Sequence, residues 1–133
     1  SQQDDAYKAF LKCTSVAIHK AQKEMKRLNK TDEGGLLAKA FIMQNYALSL
    51  YTSNNGQSVC VSAVARQYAS NIIKNAMGTI GAFYLIHDDE KILLNNCADD
   101  TELYNKSKHA ANNPSELDKD YMDSFNGLTI DFN

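Results

Sequence analysis

An all-α fold, a single-domain bundle of five to six helices with room for one disulfide, is what three observations predict. Apolar residues recur at helical spacing from Tyr7 to Leu28. Residues 35–86 carry Lys39, Arg66 and Lys74 and no acid at all, which marks a buried centre rather than a solvated surface. One proline, Pro114, stands in 133 residues, too few for a turn-rich β fold. A chain of this length favours one domain and buries roughly two thirds of its unfolded surface.

The first helix has the clearest pattern. Asp4 and Asp5 suit a helix N-terminus, where the macrodipole is positive. Tyr7, Leu11, Thr14, Ile18, Ala21, Met25 and Leu28 step by four and three residues along one face, and Phe10, Cys13 and Ala17 widen it. Lys20, Lys23, Lys26, Arg27 and Lys30 put positive charge in the last turns, where it complements the dipole. Thr31-Asp32-Glu33 then offers a cap, and Gly34-Gly35 loosens the chain.

A second helix is expected from about Leu36 to Tyr51, with an apolar arc wide enough for neighbours on two sides. Asn54-Asn55-Gly56 is a turn, and a third helix begins near Ser58 on the rhythm Val61, Val64, Ala65, Tyr68, Ile72, Ala76. Gly78 and Gly81 each lower helical propensity by about 1 kcal/mol. Phe83–Leu94 is expected as a fourth helix, although Phe83-Tyr84-Leu85-Ile86 alone is also compatible with a strand. Asp99-Asp100-Thr101 caps a short helix through about His109. Asn113-Pro114-Ser115-Glu116 begins another, ending near Phe125 with Gly127 beyond it. The domain thus divides into an amphipathic first helix (1–34), buried central helices (35–86), and acidic outer helices with a tail (87–133).

Charge follows the same division. Residues 87–133 hold four lysines against eleven acids, a balance of -7, while the whole chain sums to only -2. That overall balance argues against a nucleic-acid binder. The longest apolar run, Ala76–Ile86, is far below the ~20 residues of a membrane span. The start at Ser1, with neither methionine nor a basic-apolar leader, reads as a processed end.

Chemistry-bearing residues are sparse. Cys13, Cys60 and Cys97 lie 47 and 37 residues apart and form no C-x-x-C motif. In an exported protein two of them are expected to pair, Cys13–Cys60 first and Cys60–Cys97 second. His87-Asp88-Asp89-Glu90 is the densest polar cluster, but only His87 and Glu90 would share a helix face, and no metal-ligand motif is present. No cofactor or metal is expected. Phosphate-cradling loops, dinucleotide fingerprints and nucleophile elbows are missing from the sequence. Asp88, Asp89, Glu90, Asp99, Asp100 and Glu102, with Tyr104 and Tyr121 as aromatic anchors, are the candidate contact residues for a protein partner.

Ala9-Phe10-Leu11-Lys12-Cys13 near the start, and Asn96-Cys97-Ala98-Asp99-Asp100 leading to Leu103-Tyr104, give the chain a likeness to a family. On these residues and on its size it resembles the periplasmic immunity proteins of type VI secretion amidase effectors. The resemblance implies an all-helical fold with a disulfide, and inhibition by filling the effector's catalytic groove.

The expected function is therefore that of a non-enzymatic, periplasmic or secreted binding protein, an immunity protein or inhibitor of a toxin or effector enzyme. Homodimerisation is compatible with it. A small apolar-ligand carrier is the alternative, with a pocket among Phe41, Tyr46, Tyr68, Met77 and Phe83. An enzyme built on the His87–Glu90 cluster is a third reading.

Overall fold

A computed structural model describes residues 1–111, and they form five helices and no strand. The expected helix beginning at Asn113 lies outside the described residues, as do Tyr121 and Phe125. The three long helices are α1 (Gln2–Arg27), α2 (Leu36–Leu50) and α3 (Asn55–Met77). A single-turn helix, α4 (Asp88–Lys91), and α5 (Asp100–Ala110) follow.

Helix boundaries follow from local chemistry. The Ser1 hydroxyl accepts from the Asp4 amide at 3.1 Å and opens α1. That helix closes on Asn29, which takes the left-handed conformation (φ 51°). The Lys30 amide then donates to Met25 at 2.9 Å and the Asn29 amide to Lys26 at 3.1 Å, satisfying carbonyls that would otherwise be orphaned. Helix one therefore stops short of the expected Lys30. Gly34 (φ 75°) and Gly35 (φ 67°) turn the chain. Asp32 reaches across them and accepts from the Leu37 and Ala38 amides at 2.9 and 3.0 Å, capping α2. Asn54 caps α3, its side chain accepting from Gln57, so that helix starts three residues before the expected Ser58. Gly78 (φ 78°) ends it, donating to Lys74 at 2.7 Å.

α3 is the hub. It packs along both α1 and α2, and α5 lies across α2 and α3. Phe10, Leu11, Ala17, Ile18 and Ala21 of α1 meet Leu37, Ala40, Phe41 and Met43 of α2 and Val59, Val61, Ala65 and Ile73 of α3, all essentially without solvent contact. Leu103 of α5 joins the same cluster. Burial of such a side chain contributes about 1.5–3 kcal/mol.

The expected fourth helix over Phe83–Leu94 is not formed. After Gly78 the chain makes one tight turn at Ala82–Tyr84, extends through His87, and is helical only over α4. Exposure alternates residue by residue there: Phe83, Leu85 and His87 face solvent, while Tyr84 and Ile86 are half-buried. From Leu85 to His87 this is the two-residue period of extended backbone, which takes the place of the expected helix. The stretch 35–86 is consequently not buried throughout, since Met77, Phe83 and Leu85 are exposed.

Candidate protein-binding surface

Residues 78–99 form a strap that runs back along α3. Its successive anchors fall on earlier and earlier parts of that helix, as far as its first turns. Ser70 donates to the Tyr84 carbonyl at 2.7 Å, Arg66 pairs with Glu90, Cys60 is bonded to Cys97, and Gln57 donates to the Asn96 carbonyl at 3.2 Å. The strap's first turn also touches α1.

The Arg66 anchor is the most buried. The Arg66 side chain is 1% exposed and stacks on the Phe10 ring, 3.9 Å from its centroid. Nε donates to Thr14 Oγ1 at 3.0 Å and Nη2 to the Phe10 carbonyl at 2.6 Å. Nη1 donates to both Glu90 oxygens at 3.1 and 3.0 Å. A cation removed from water this far is stable only when nearly every donor is engaged. The network continues inward. Gln44 donates to the Leu11 carbonyl at 2.9 Å and to Ser15 Oγ at 2.8 Å, and its Oε1 accepts from Ser62 Oγ at 2.8 Å. Three helices are thus joined by side chains whose polar groups are paired.

The candidate contact residues therefore divide by role. Glu90 is structural: its Oε1 also accepts from the His87 amide at 3.0 Å, and the His87 ring bonds the Ala82 carbonyl at 2.6 Å. His87 and Glu90 hold the strap's shape and are committed to that. Asp88 and Asp89 are exposed, and Asp88 meets Lys91 at 3.2 Å. Asp99 caps α5 by accepting from Glu102 at 2.9 Å. Asp100 and Glu102 are exposed on its first turn, Glu102 meeting Lys106 at 3.2 Å. Tyr104 is half-buried, with Lys39 Nζ 5.3 Å from its ring centroid. A shallow depression lies between α5 and Tyr46 of α2, lined by Asp99, Asp100, Glu102 and Lys106. The acids form two groups, one opposite Arg66 and one beyond Cys60. Six residues of α3 separate those anchors, about 9 Å.

The pairing Cys60–Cys97, with Cα atoms 5.5 Å apart, replaces the first expectation, Cys13–Cys60. Cys13 is a free, half-buried thiol on α1. Burial pushes its pKa up; Arg66 opposes that and Glu90 adds to it. Burial also raises the Tyr68 phenol, with Asp100 adding to the effect. Among the described residues no three His, Cys, Asp or Glu side chains converge as a metal site would require, and no helix is long and apolar enough to cross a membrane. The five side chains expected to line a carrier pocket are dispersed: Phe41 is packed in the core, whereas Met77 and Phe83 face solvent.

Sequence reasoning missed Arg66, Gln44, Ser62 and Thr14 as a unit. The available signal was the run Ser58, Ser62, Arg66, Ser70 on α3, a polar stripe at four-residue spacing inside an acid-free apolar stretch. The chain matches no family model, no curated protein and no solved structure.

Proposed function

We propose that this chain is a non-enzymatic protein-binding module of the bacterial envelope, an immunity protein or inhibitor that occludes the active site of a toxin or effector enzyme. The observation that carries the reading is the Cys60–Cys97 bond, which staples an acidic, solvent-facing layer onto a closed helical core. Disulfides persist in oxidising compartments, which supports a periplasmic or secreted setting. Fixed acids at the start of α5 suit a positively charged cleft. They raise the encounter rate, while the rigid base limits the entropy lost on docking.

The test is capture from envelope extract on the immobilised, oxidised protein, followed by association kinetics with the retained partner. Reversal of Asp99, Asp100 and Glu102 to Lys is expected to slow association about tenfold at low salt and to flatten its salt dependence. An unchanged rate, or no retained protein, overturns the reading.

A further inference from the structure

Met77, Phe83, Leu85 and Ile92 are the large apolar side chains that face solvent among the described residues, at 46, 53, 42 and 72% exposure. All four fall within sixteen consecutive positions, on the strap and the α3 end that leads into it. Scattered exposed apolar residues need no explanation, but concentration in one segment does.

The strap mixes apolar and polar docking rather than burying apolar groups alone. A segment that docks by burying apolar groups turns them inward and its charges outward. Here Glu90 turns inward to Arg66, and main-chain carbonyls of Tyr84 and Asn96 take the other polar anchors. Tyr84, Ile86, Leu93 and Leu94 are only partly buried against the core. Phe83, Leu85 and Ile92 are left outside. Four anchors, one of them covalent, hold the backbone so that these side chains are presented in a fixed arrangement, which lowers the ordering cost of binding. Leu85, Ile86 and Leu94, with Lys91, also line a depression against Gln67, Ser70 and Asn71 of α3, of a size to receive an apolar side chain from outside.

The rim identifies the occupant. Residues 78–99 carry four acids and one lysine. Glu90 is neutralised by Arg66 and Asp99 is used in capping, whereas Asp88, which meets Lys91 at 3.2 Å, and Asp89 stand exposed beside Ile92 and leave this rim net negative. A second copy docking strap to strap would set these acids against themselves. Residues 112–133, with five acids and one lysine, are also mismatched. A helix with an apolar stripe flanked by Lys or Arg matches both the apolar centre and the acidic rim.

We propose that the outer face of the strap, Phe83, Leu85 and Ile92 edged by Asp88 and Asp89, is the docking surface for a basic amphipathic helix of the protein partner. This rests on the partner-binding reading above and moves the centre of contact from α5 to the strap.

The probe is a fluorescein-labelled 18-residue peptide of Leu and Lys at helical spacing, with a Leu/Glu peptide of the same pattern as control. Anisotropy titration of the oxidised full chain is expected to show binding of the Lys peptide and none of the Glu peptide. Phe83→Ser with Leu85→Ser is expected to weaken binding by about tenfold or more. Asp88→Lys with Asp89→Lys should weaken it and flatten its salt dependence, and Asp100→Lys with Glu102→Lys should weaken it less. These side chains are exposed, so the variants should keep the wild-type circular dichroism and Tm. Hydrogen exchange should show new protection over residues 82–94 when the Lys peptide binds. The proposal is overturned if neither peptide binds, if Phe83→Ser/Leu85→Ser binds like wild type, or if the α5 reversal is the stronger. The envelope capture separates the two claims. A partner retained equally by wild type and Phe83→Ser/Leu85→Ser sinks the strap surface and leaves the binding function standing.

Discussion

Between Gln2 and Met77 the chain is held by apolar burial around a paired polar network. Between Gly78 and Asp99 an ion pair, a disulfide and two hydrogen bonds add to the partial packing of Tyr84, Ile86, Leu93 and Leu94, while Phe83, Leu85 and Ile92 face outward. Residue type is similar in the two regions: Phe, Leu and Ile occur in both. What differs is where the free energy of docking comes from. The core gains it per unit of apolar area removed from water. The strap adds a few directed contacts to partial apolar packing, leaving Phe83, Leu85 and Ile92 available. A surface that is both apolar and fixed in place needs that second arrangement.

The sharpest way to break this contrast is a pair of leucine truncations. Leu11→Ala in the core is expected to cost about 3–5 kcal/mol, because it removes burial and leaves a cavity. Leu85→Ala on the strap should stay within about 0.5 kcal/mol. Urea unfolding of both proteins decides it, and comparable losses would abolish the distinction. Reduction of Cys60–Cys97 comes next. Closing 37 residues of chain is worth at most about 4 kcal/mol in the chain-entropy picture. Reduced protein should retain the α1–α3 core, with exchange rising first over the strap. Alkylation of the denatured, unreduced chain should modify one thiol, Cys13; three modified thiols would remove the covalent anchor altogether.

The smallest effect expected is the response to acid. Hydrogen bonds from Arg27 (2.6 Å) and Lys20 (3.0 Å) hold the Glu24 carboxyl below its ordinary value of 4.5. A hydrogen bond from Tyr51 does the same for Asp4, ordinarily 3.8. Both groups bind protons more weakly when folded. Their contribution is therefore complete above those values and is lost as pH falls through the folded pKa. Tm should be level near neutrality and decline below about pH 4.5, and Glu24→Gln should shallow the decline. A Tm that rises on acidification would contradict these pairings. Since both carboxyls sit on α1, the effect belongs to the core region and not to the strap.

The first helix was legible because its apolar positions repeat in steps of four and three without interruption. A cap before α2 was legible in Thr31-Asp32-Glu33, but only the structure shows that Asp32 supplies it. The strap was not. Its residues from Phe83 to Leu94 are of mixed propensity, so helix and strand were both open over Phe83–Ile86, and what holds the chain extended is non-local: Ser70 takes the Tyr84 carbonyl and Arg66 takes Glu90. Cysteine spacing likewise carries no information about which pair the fold brings within reach. The candidate acids were legible as exposed charge, except Glu90, whose partner lies 24 residues earlier and is buried. A side chain's sign can be read from a sequence, but not the company it keeps.

Gln44 has a consequence of another kind. Apolar helices interdigitate almost equally well when one slides by a turn, about 5.4 Å, along another. An amide does not. Gln44 finds a carbonyl and a hydroxyl on α1 and a hydroxyl donor on α3 at a single alignment of the three helices. Any slip strands both ends of the amide in an apolar interior, at about 1–3 kcal/mol for each unsatisfied group. Gln44 thus works like the key in a lock's wards: it adds little holding force, yet it admits one setting and rejects the neighbouring ones.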